Sequence, residues 1–124
     1  MKAIVKAMIA NLHAEPNLLA ELVDEVLYGM VVQILDDPNS DWVLVRTAYR
    51  YEGYCQKMHL LIDESQVNNW ENEATYVVGH SFADVLYEPR IQAAKIITLV
   101  KGSVIRYIQN DPISKEWATV QLAT

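Results

Sequence analysis

A pattern of residue types near the start of the chain recurs 73 residues later. Ala10–Leu12 followed by Glu15-Pro16 returns as Ala83–Val85 followed by Glu88-Pro89. An internal repeat of this size means that each copy is one structural unit, so the chain is predicted to be a tandem array rather than one continuous core.

The repeat extends well beyond these short motifs. Thirteen residues after each proline lies a glycine, Gly29 in the first copy and Gly102 in the second. Apolar pairs flank both glycines. The second strand after each glycine opens with a tryptophan, Trp42 or Trp117, and two single-residue insertions separate the copies before that point. Order, polarity and spacing therefore agree along most of both copies.

These matches predict the domain boundaries. The first copy is expected at residues 1–62, the second at 75–124, and a polar linker with one helical turn at 63–74. The first copy continues past its tryptophan strand through Tyr49–Leu60, whereas the second reaches Thr124 before the corresponding segment. The second copy is therefore predicted to be incomplete at its C-terminus.

The periodicity is that of β-strands. Val31–Asp36 is apolar in both alternating phases, as in a buried strand, and Trp42–Thr47 is a second β-branched and aromatic run. Asp36–Asp41 between them is rich in turn-forming residues. Asn17–Val26 has helical propensity, but its counterpart in the second copy is less convincing as a helix, so we predict in both a loop leading into a strand. The expected fold is all-β, with two tandem small barrels.

Charge and composition exclude several classes of function. The net charge of −6, from 16 acidic and 10 basic residues, argues against binding to nucleic acid or to an anionic membrane surface. No apolar run approaches the ~20 residues of a membrane span, and no export signal is visible at the N-terminus. A cytoplasmic location is therefore favoured, although a domain excised from an exported protein would look the same.

The residues for catalysis or metal binding are sparse. Cys55 and His59 are the only neighbouring nucleophile and base, and without an orienting third group we expect Cys55 to be a small core residue. The three histidines, His13, His59 and His80, lack ligand-like spacing. We therefore predict no catalytic residues, no metal site and no cofactor.

Aromatic residues carry the strongest binding signal. Alternation along a strand places Tyr49 and Tyr51 on one face, where aromatic rings with polar tips suit a partly wet groove. Nearby acidic residues are suited to a ligand ammonium group. The predicted ligand-binding residues are Tyr49, Tyr51, Glu52 and Glu25. Tyr28, Trp42 and Tyr54 are expected in the core, and Trp70 is expected to pack between the two copies.

Three motifs in this order resemble the bacterial SH3 domain. They are the Asn11-Leu12 and Glu15-Pro16 opening, Leu27–Gly29 before a β run, and Trp42-x-x-Val45 followed by Tyr51–Tyr54. The first copy matches along its length and the second lacks its last strands. The resemblance implies that both copies are SH3-like barrels, and it is greatest to the SH3 pairs that precede NlpC-type cysteine peptidases.

That resemblance implies a role in cleavage of murein peptides. Such peptidases cut the bond between γ-D-glutamate and a diamino acid, and their first SH3 domain can restrict the cleft to peptides with a free N-terminal L-alanine. The tyrosine that does so matches Tyr51. This chain differs from the pattern in having Arg50 in place of a glycine and Met30 in place of an acidic residue.

The sequence therefore predicts a non-catalytic recognition or specificity module of a cell-wall hydrolase of γ-D-glutamyl-diamino acid endopeptidase type. The expected partners are a peptidoglycan peptide or the protein's own C-terminal peptidase domain, with a homodimer through the incomplete second copy as a further expectation. The alternative is a protein-protein interaction scaffold of SH3 type. A complete enzyme is disfavoured, because no catalytic set is present.

Overall fold

The computed structural model describes residues 1–37, 40–114 and 116–123. Within them the chain forms twelve strands, one α-helix and a short 3-10 helix at Lys57–His59. The remaining elements are β1 (Lys2–Val5), β2 (Ile9–His13), β3 (Leu22–Leu27), β4 (Val31–Asp36), β5 (Trp42–Arg46), β6 (Glu52–Gln56), β7 (Leu60–Leu61), α1 (Glu64–Glu73), β8 (Tyr76–Val77), β9 (Phe82–Leu86), β10 (Lys95–Val100), β11 (Val104–Asn110) and β12 (Ala118–Gln121).

The first seven strands form one antiparallel sheet that curves around a small core. Their order is β3-β2-β6-β5-β4-β1-β7. Strand β6 is central, because it pairs along its whole length with β5 and also with β2 at His13 and Tyr54. Residues that alternate along these strands point inward and exclude water. The fully buried set is Ala3, Val5, Ala10, Leu12, Val43, Val45 and Cys55.

The structure corrects the expectation that Trp42 and Tyr54 lie in the core. Along β5 it is Val43 and Val45 that are fully buried, so Trp42, in the opposite phase, is only half-buried. Trp42 packs edge-on against the His13 ring, with centroids 5.4 Å apart. In β6 the inward residues are Gly53 and Cys55, which leaves Tyr54 half-buried on the outer side.

Helix α1 replaces most of the predicted linker. Glu64–Glu73 is ten residues long rather than one turn, and the Asp63 side chain caps it by accepting a hydrogen bond from the Gln66 N–H at 3.2 Å. Val67 and Trp70 are its buried face. The described residues contain no helix that is both long and apolar enough to cross a membrane.

The C-terminal half, residues 75–123, pairs some of its strands in the way that the N-terminal half does. Strand β8 pairs with β11 through Val77 and Val104, as β1 pairs with β4 through Ile4 and Val31. However, within the described part of this half no strand joins β9 to β12, so the strands form two separate sheets, β10-β9 and β12-β11-β8.

Because no described strand joins β9 to β12, apolar residues of these strands are less buried than their counterparts in the N-terminal half. Leu12 and Val45 are fully buried where β6 bridges their strands. The residues in the corresponding places of β9 and β12, Val85 and Val120, are only half-buried. A cavity of about 410 Å³ lies between these strands. Among the described residues, β11 is the only strand that pairs with β12, and β8 pairs with the other edge of β11.

Tyr28 and Gly29 join the two halves. The Val104 N–H donates to the Tyr28 carbonyl at 2.8 Å, and the Ala123 N–H donates to the Tyr28 hydroxyl oxygen, also at 2.8 Å. Gly29 has a φ of +83°, and a Cβ atom placed on it would lie 1.8 Å from the Val104 carbonyl oxygen. Burial raises the pKa of the Tyr28 hydroxyl, which stays protonated and inside the junction.

We expect Gly29→Ala to destabilise the chain by about 2 kcal/mol or more, since a left-handed backbone costs about 1–2 kcal/mol for a residue with a Cβ atom and Val104 must also move. Gly79→Ala is the matched control, because a Cβ atom at Gly79 meets nothing within 4 Å. Urea unfolding of both variants measures the difference. Equal stabilities of the two variants would show that the halves do not meet closely at Gly29.

Candidate functional site

A groove of about 660 Å³ opens between the N-terminal half and helix α1. One side is made by β3 and by the hairpin that joins β5 to β6, and the other by α1, β8 and the start of β11. Its floor is apolar, with Val26, Val31 and Val32 among the residues that line it. We call this the seam groove. Its polar and aromatic lining residues are Asp24, Glu25, Thr47, Tyr49, Tyr51, Trp70 and Glu71.

The hairpin presents two exposed tyrosines to the seam groove. Tyr49 is 74% exposed and Tyr51 is 63% exposed. The Thr47 N–H donates to the Tyr51 carbonyl at 2.8 Å, and the Arg50 N–H donates to the Thr47 carbonyl at 2.9 Å, which closes a three-residue loop. Tyr49 thus lies in the turn rather than on a strand, so the turn and not strand alternation brings the two rings to one groove.

Of the other two predicted ligand-binding residues, Glu25 lines the seam groove and Glu52 does not. Glu25 is exposed and lines the seam groove together with its neighbour Asp24. Glu52 is not among the lining residues, and its carboxylate accepts hydrogen bonds from Arg46 at 2.9 and 3.1 Å. Three of the four predicted residues therefore share one groove.

Sequence reasoning missed the second side of this groove. Trp70, Glu71 and Ala74 come from the segment that had been predicted to be a linker, and Val104 comes from the second half. A helical spacing was available as a signal, because Val67, Trp70, Glu71 and Ala74 recur at intervals of three and four residues. Only the folded chain shows that this helix packs beside Tyr49 and Tyr51.

The electrostatics of the seam groove are acidic. Asp24, Glu25 and Glu71 line it, and no lysine, arginine or histidine is among its described lining residues. The only ion pair at these three carboxylates, within the described part of the chain, joins Glu71 to the Lys2 ammonium at 3.1 Å. We call these three carboxylates the rim of the seam groove. A positively charged group on a ligand is therefore the best complement to this rim.

Cys55 is not placed for nucleophilic chemistry. Its side chain is fully buried in β6, and this burial raises the pKa of the thiol to about 11, so the thiol is protonated at neutral pH. Among the described residues no group of three histidine, cysteine or acidic side chains is arranged to hold a metal ion.

The hairpin contains one strained residue, Arg50, at the position where the bacterial SH3 pattern has a glycine. Arg50 has a φ of +68°, in the left-handed region that glycine adopts without cost.

We expect Arg50→Gly to stabilise the chain by about 0.5–1 kcal/mol, because relief of the strain exceeds the entropy added to the unfolded chain. Thermal unfolding, with Arg46→Gly as the strand control, measures this. A loss of stability in Arg50→Gly would mean that Arg50 contributes more through its side chain than it costs.

Comparisons with known proteins agree with this architecture. Residues 10–60 match the family model described as the bacterial SH3 domain. A protein from Lysinibacillus sphaericus named dipeptidyl-peptidase 6 is 58% identical over 125 residues, covering 100% of this chain and 46% of that protein. The chain thus spans about half the length of this relative.

A solved structure gives the same picture of the fold. The crystal structure of an NlpC/P60 family protein from Bacillus cereus ATCC 10987 matches 99% of this chain and 52% of that protein, with a TM-score of 0.75 and 18% sequence identity. At that identity the match establishes the fold. Together with the sequence match, it confirms the resemblance to SH3 domains of NlpC-type peptidases and the mostly β, SH3-like architecture. Within this chain, residues 10–60 are therefore similar to bacterial SH3 domains.

Proposed function

We propose that this chain is a non-catalytic recognition module of a cell-wall hydrolase, and that its seam groove binds murein peptide. The observation that carries the proposal is that Glu25, Tyr49 and Tyr51 line one groove, with both rings mostly exposed. Two neighbouring exposed tyrosines beside an apolar groove suit a peptide that is apolar on one side and polar on the other.

The module acts on a peptide in one of two ways. It holds the peptide directly against Tyr49 and Tyr51, or it forms part of the cleft of a peptidase domain in the same protein. The relative's name, dipeptidyl-peptidase 6, supports a peptide ligand and a peptidase partner. The proposed reaction of the whole protein is cleavage between γ-D-glutamate and a diamino acid.

We assign the chemistry to a separate peptidase domain. The Cys55 thiol is buried and protonated at neutral pH, and a cysteine peptidase requires an accessible thiolate beside an oriented base. The role of the present chain is then to bind and select. Peptide selection needs only shape and charge, both of which the seam groove offers.

We also propose that residues 1–62 and 75–124 are two SH3-like modules in tandem. Equivalent turn bonds support this organisation. The Gly29 N–H donates to the Val5 carbonyl at 2.8 Å, and the Gly102 N–H donates to the Val78 carbonyl at 2.9 Å. Both glycines have positive φ. In the first turn the Met30 N–H donates to the Leu27 carbonyl, and in the second the Ser103 N–H donates to the Val100 carbonyl. Within the described residues, the second module then has no counterpart of β6.

The open side of the second module favours a scaffold role as a second candidate function. The free edge of β12 beside a cavity of about 410 Å³ is suited to pairing with an added strand, including one from another copy of the chain.

For this second role we expect a concentration-dependent dimer, with Val120 and Leu122 at the contact. Sedimentation at several concentrations, with hydrogen exchange at β12, measures it. A strict monomer with a well-protected β12 would contradict strand pairing between chains.

The main proposal predicts that Tyr51→Ala weakens binding of the peptide L-Ala-γ-D-Glu-L-Lys about tenfold, which corresponds to the loss of one aromatic contact. Stability should change by less than about 0.5 kcal/mol, as for an exposed residue. Tyr87→Ala is the matched control, since Tyr87 is 71% exposed and lies outside the seam groove. Calorimetric titration measures affinity, and urea unfolding measures stability.

Two results would contradict this assignment. A stability loss of about 3–5 kcal/mol in Tyr51→Ala would place the ring in the core. Equal affinities of Tyr51→Ala and Tyr87→Ala for the peptide would mean that the seam groove is not the binding surface.

In the full-length protein, a stable Tyr51→Ala variant is expected to cleave peptides with free and blocked N-termini alike.

A further inference from the structure

We propose that helix α1 forms the second wall of the binding site, and that Glu71 on this helix binds an ammonium group of the peptide. The inference rests on the proposed function, because it concerns the same seam groove. It assigns a binding role to a segment that the sequence alone marks only as a connection between modules.

The wall on helix α1 is held firmly in place. The indole N–H of Trp70 donates to the Gly29 carbonyl at 2.7 Å, and the Trp70 side chain is buried. The Ala74 N–H donates to the Trp70 carbonyl at 2.7 Å, which closes the end of the helix. Glu71 follows Trp70 directly, so its backbone is fixed relative to the first module while its side chain remains exposed.

The charge around the groove indicates what binds there. The residues that line it include Asp24 and Glu25 from β3 and Glu71 from α1, together with apolar side chains such as Val26 and Val32. Asp24 accepts the Glu25 N–H at 2.8 Å, and neither carboxylate forms an ion pair with another described residue. A ligand with an ammonium group and an aliphatic part fits both features, whereas a purely anionic ligand would be repelled by this rim.

Lys2 occupies the place that a ligand ammonium would take at Glu71. Its Nζ atom lies 3.1 and 3.2 Å from the two Glu71 carboxylate oxygens, and both side chains are partly exposed. An exposed pair of this kind is weak, so a peptide can displace it. Lys2 then acts as an internal competitor, and its removal should strengthen binding rather than weaken it.

The experiment compares three charge variants in the whole chain. Glu71→Gln removes the proposed contact, and Lys2→Gln removes the competitor. Glu73→Gln is the matched control, because Glu73 lies on the same helix, forms an ion pair with Arg106 at 3.0 Å, and does not line the seam groove. The two glutamate variants change the net charge equally. The probes are L-Ala-γ-D-Glu-L-Lys and the same peptide acetylated at its α-amine, its ε-amine or both.

We expect Glu71→Gln to weaken binding of the free peptide about threefold to fivefold, and Lys2→Gln to tighten it about twofold to threefold. Glu73→Gln should bind as the wild type does. The doubly acetylated peptide should bind the wild type more weakly and should not distinguish Glu71→Gln from it. The singly acetylated peptides identify which amine Glu71 contacts. Circular dichroism melting confirms that all variants are folded.

The possible failures are distinct. Equal affinities of Glu71→Gln and Glu73→Gln, with peptide binding still dependent on Tyr51, would overturn the role of Glu71 and leave the proposed function standing. The same holds if Lys2→Gln weakens binding, or if double acetylation has no effect. Absence of peptide binding by the wild type would overturn the proposed function and this inference together.

Discussion

The hydrogen bond from the buried Trp70 indole to the Gly29 carbonyl holds together parts of the chain that are 41 residues apart in sequence. It satisfies a carbonyl at a tight turn and fixes helix α1 against the N-terminal sheet. The same turn places Tyr28, which accepts two backbone N–H groups from the C-terminal half. Because a buried polar group without a partner costs about 1–3 kcal/mol, each bond also selects one arrangement of the halves. The seam groove exists only in that arrangement.

Strand β6 decides how well each half excludes water. Where it is present, it bridges β5 and β2, and small inward residues, Gly53 and Cys55, let the sheet close tightly over Leu12. In the C-terminal half the equivalent apolar positions remain partly open. The two halves thus differ in how completely their strands close around a core, and the C-terminal half depends on its neighbour and on helix α1 for much of its burial.

The strand positions, the two glycine turns and the exposed tyrosines could be predicted from the sequence, because alternation and turn chemistry are local properties. The phase of β5 could not, since Trp42-Val43-Leu44-Val45 is apolar on both faces and only the packing selects Val43 and Val45 as inward residues. Likewise, Glu25 and Tyr51 were predicted from residue type, but Glu71 was not. Trp70 was expected to pack between the two copies, as it does. Glu71 was missed because residues 63–74 were predicted to be a linker with one helical turn, whereas Glu64–Glu73 is a ten-residue helix.

The contact at Gly29 also makes the two halves of the chain structurally different from each other. In the C-terminal half Lys101 and Gly102 stand where Tyr28 and Gly29 stand in the N-terminal half, and a Cβ atom on Gly102 meets only the end of the flexible Leu27 side chain, at 3.0 Å. Lys101 has no phenol to receive the Ala123 N–H. The two halves of the chain are therefore not interchangeable. A chain assembled from two C-terminal halves would lack the junction, and any transfer of the N-terminal half to another protein would have to carry the Tyr28-Gly29 turn and helix α1 together.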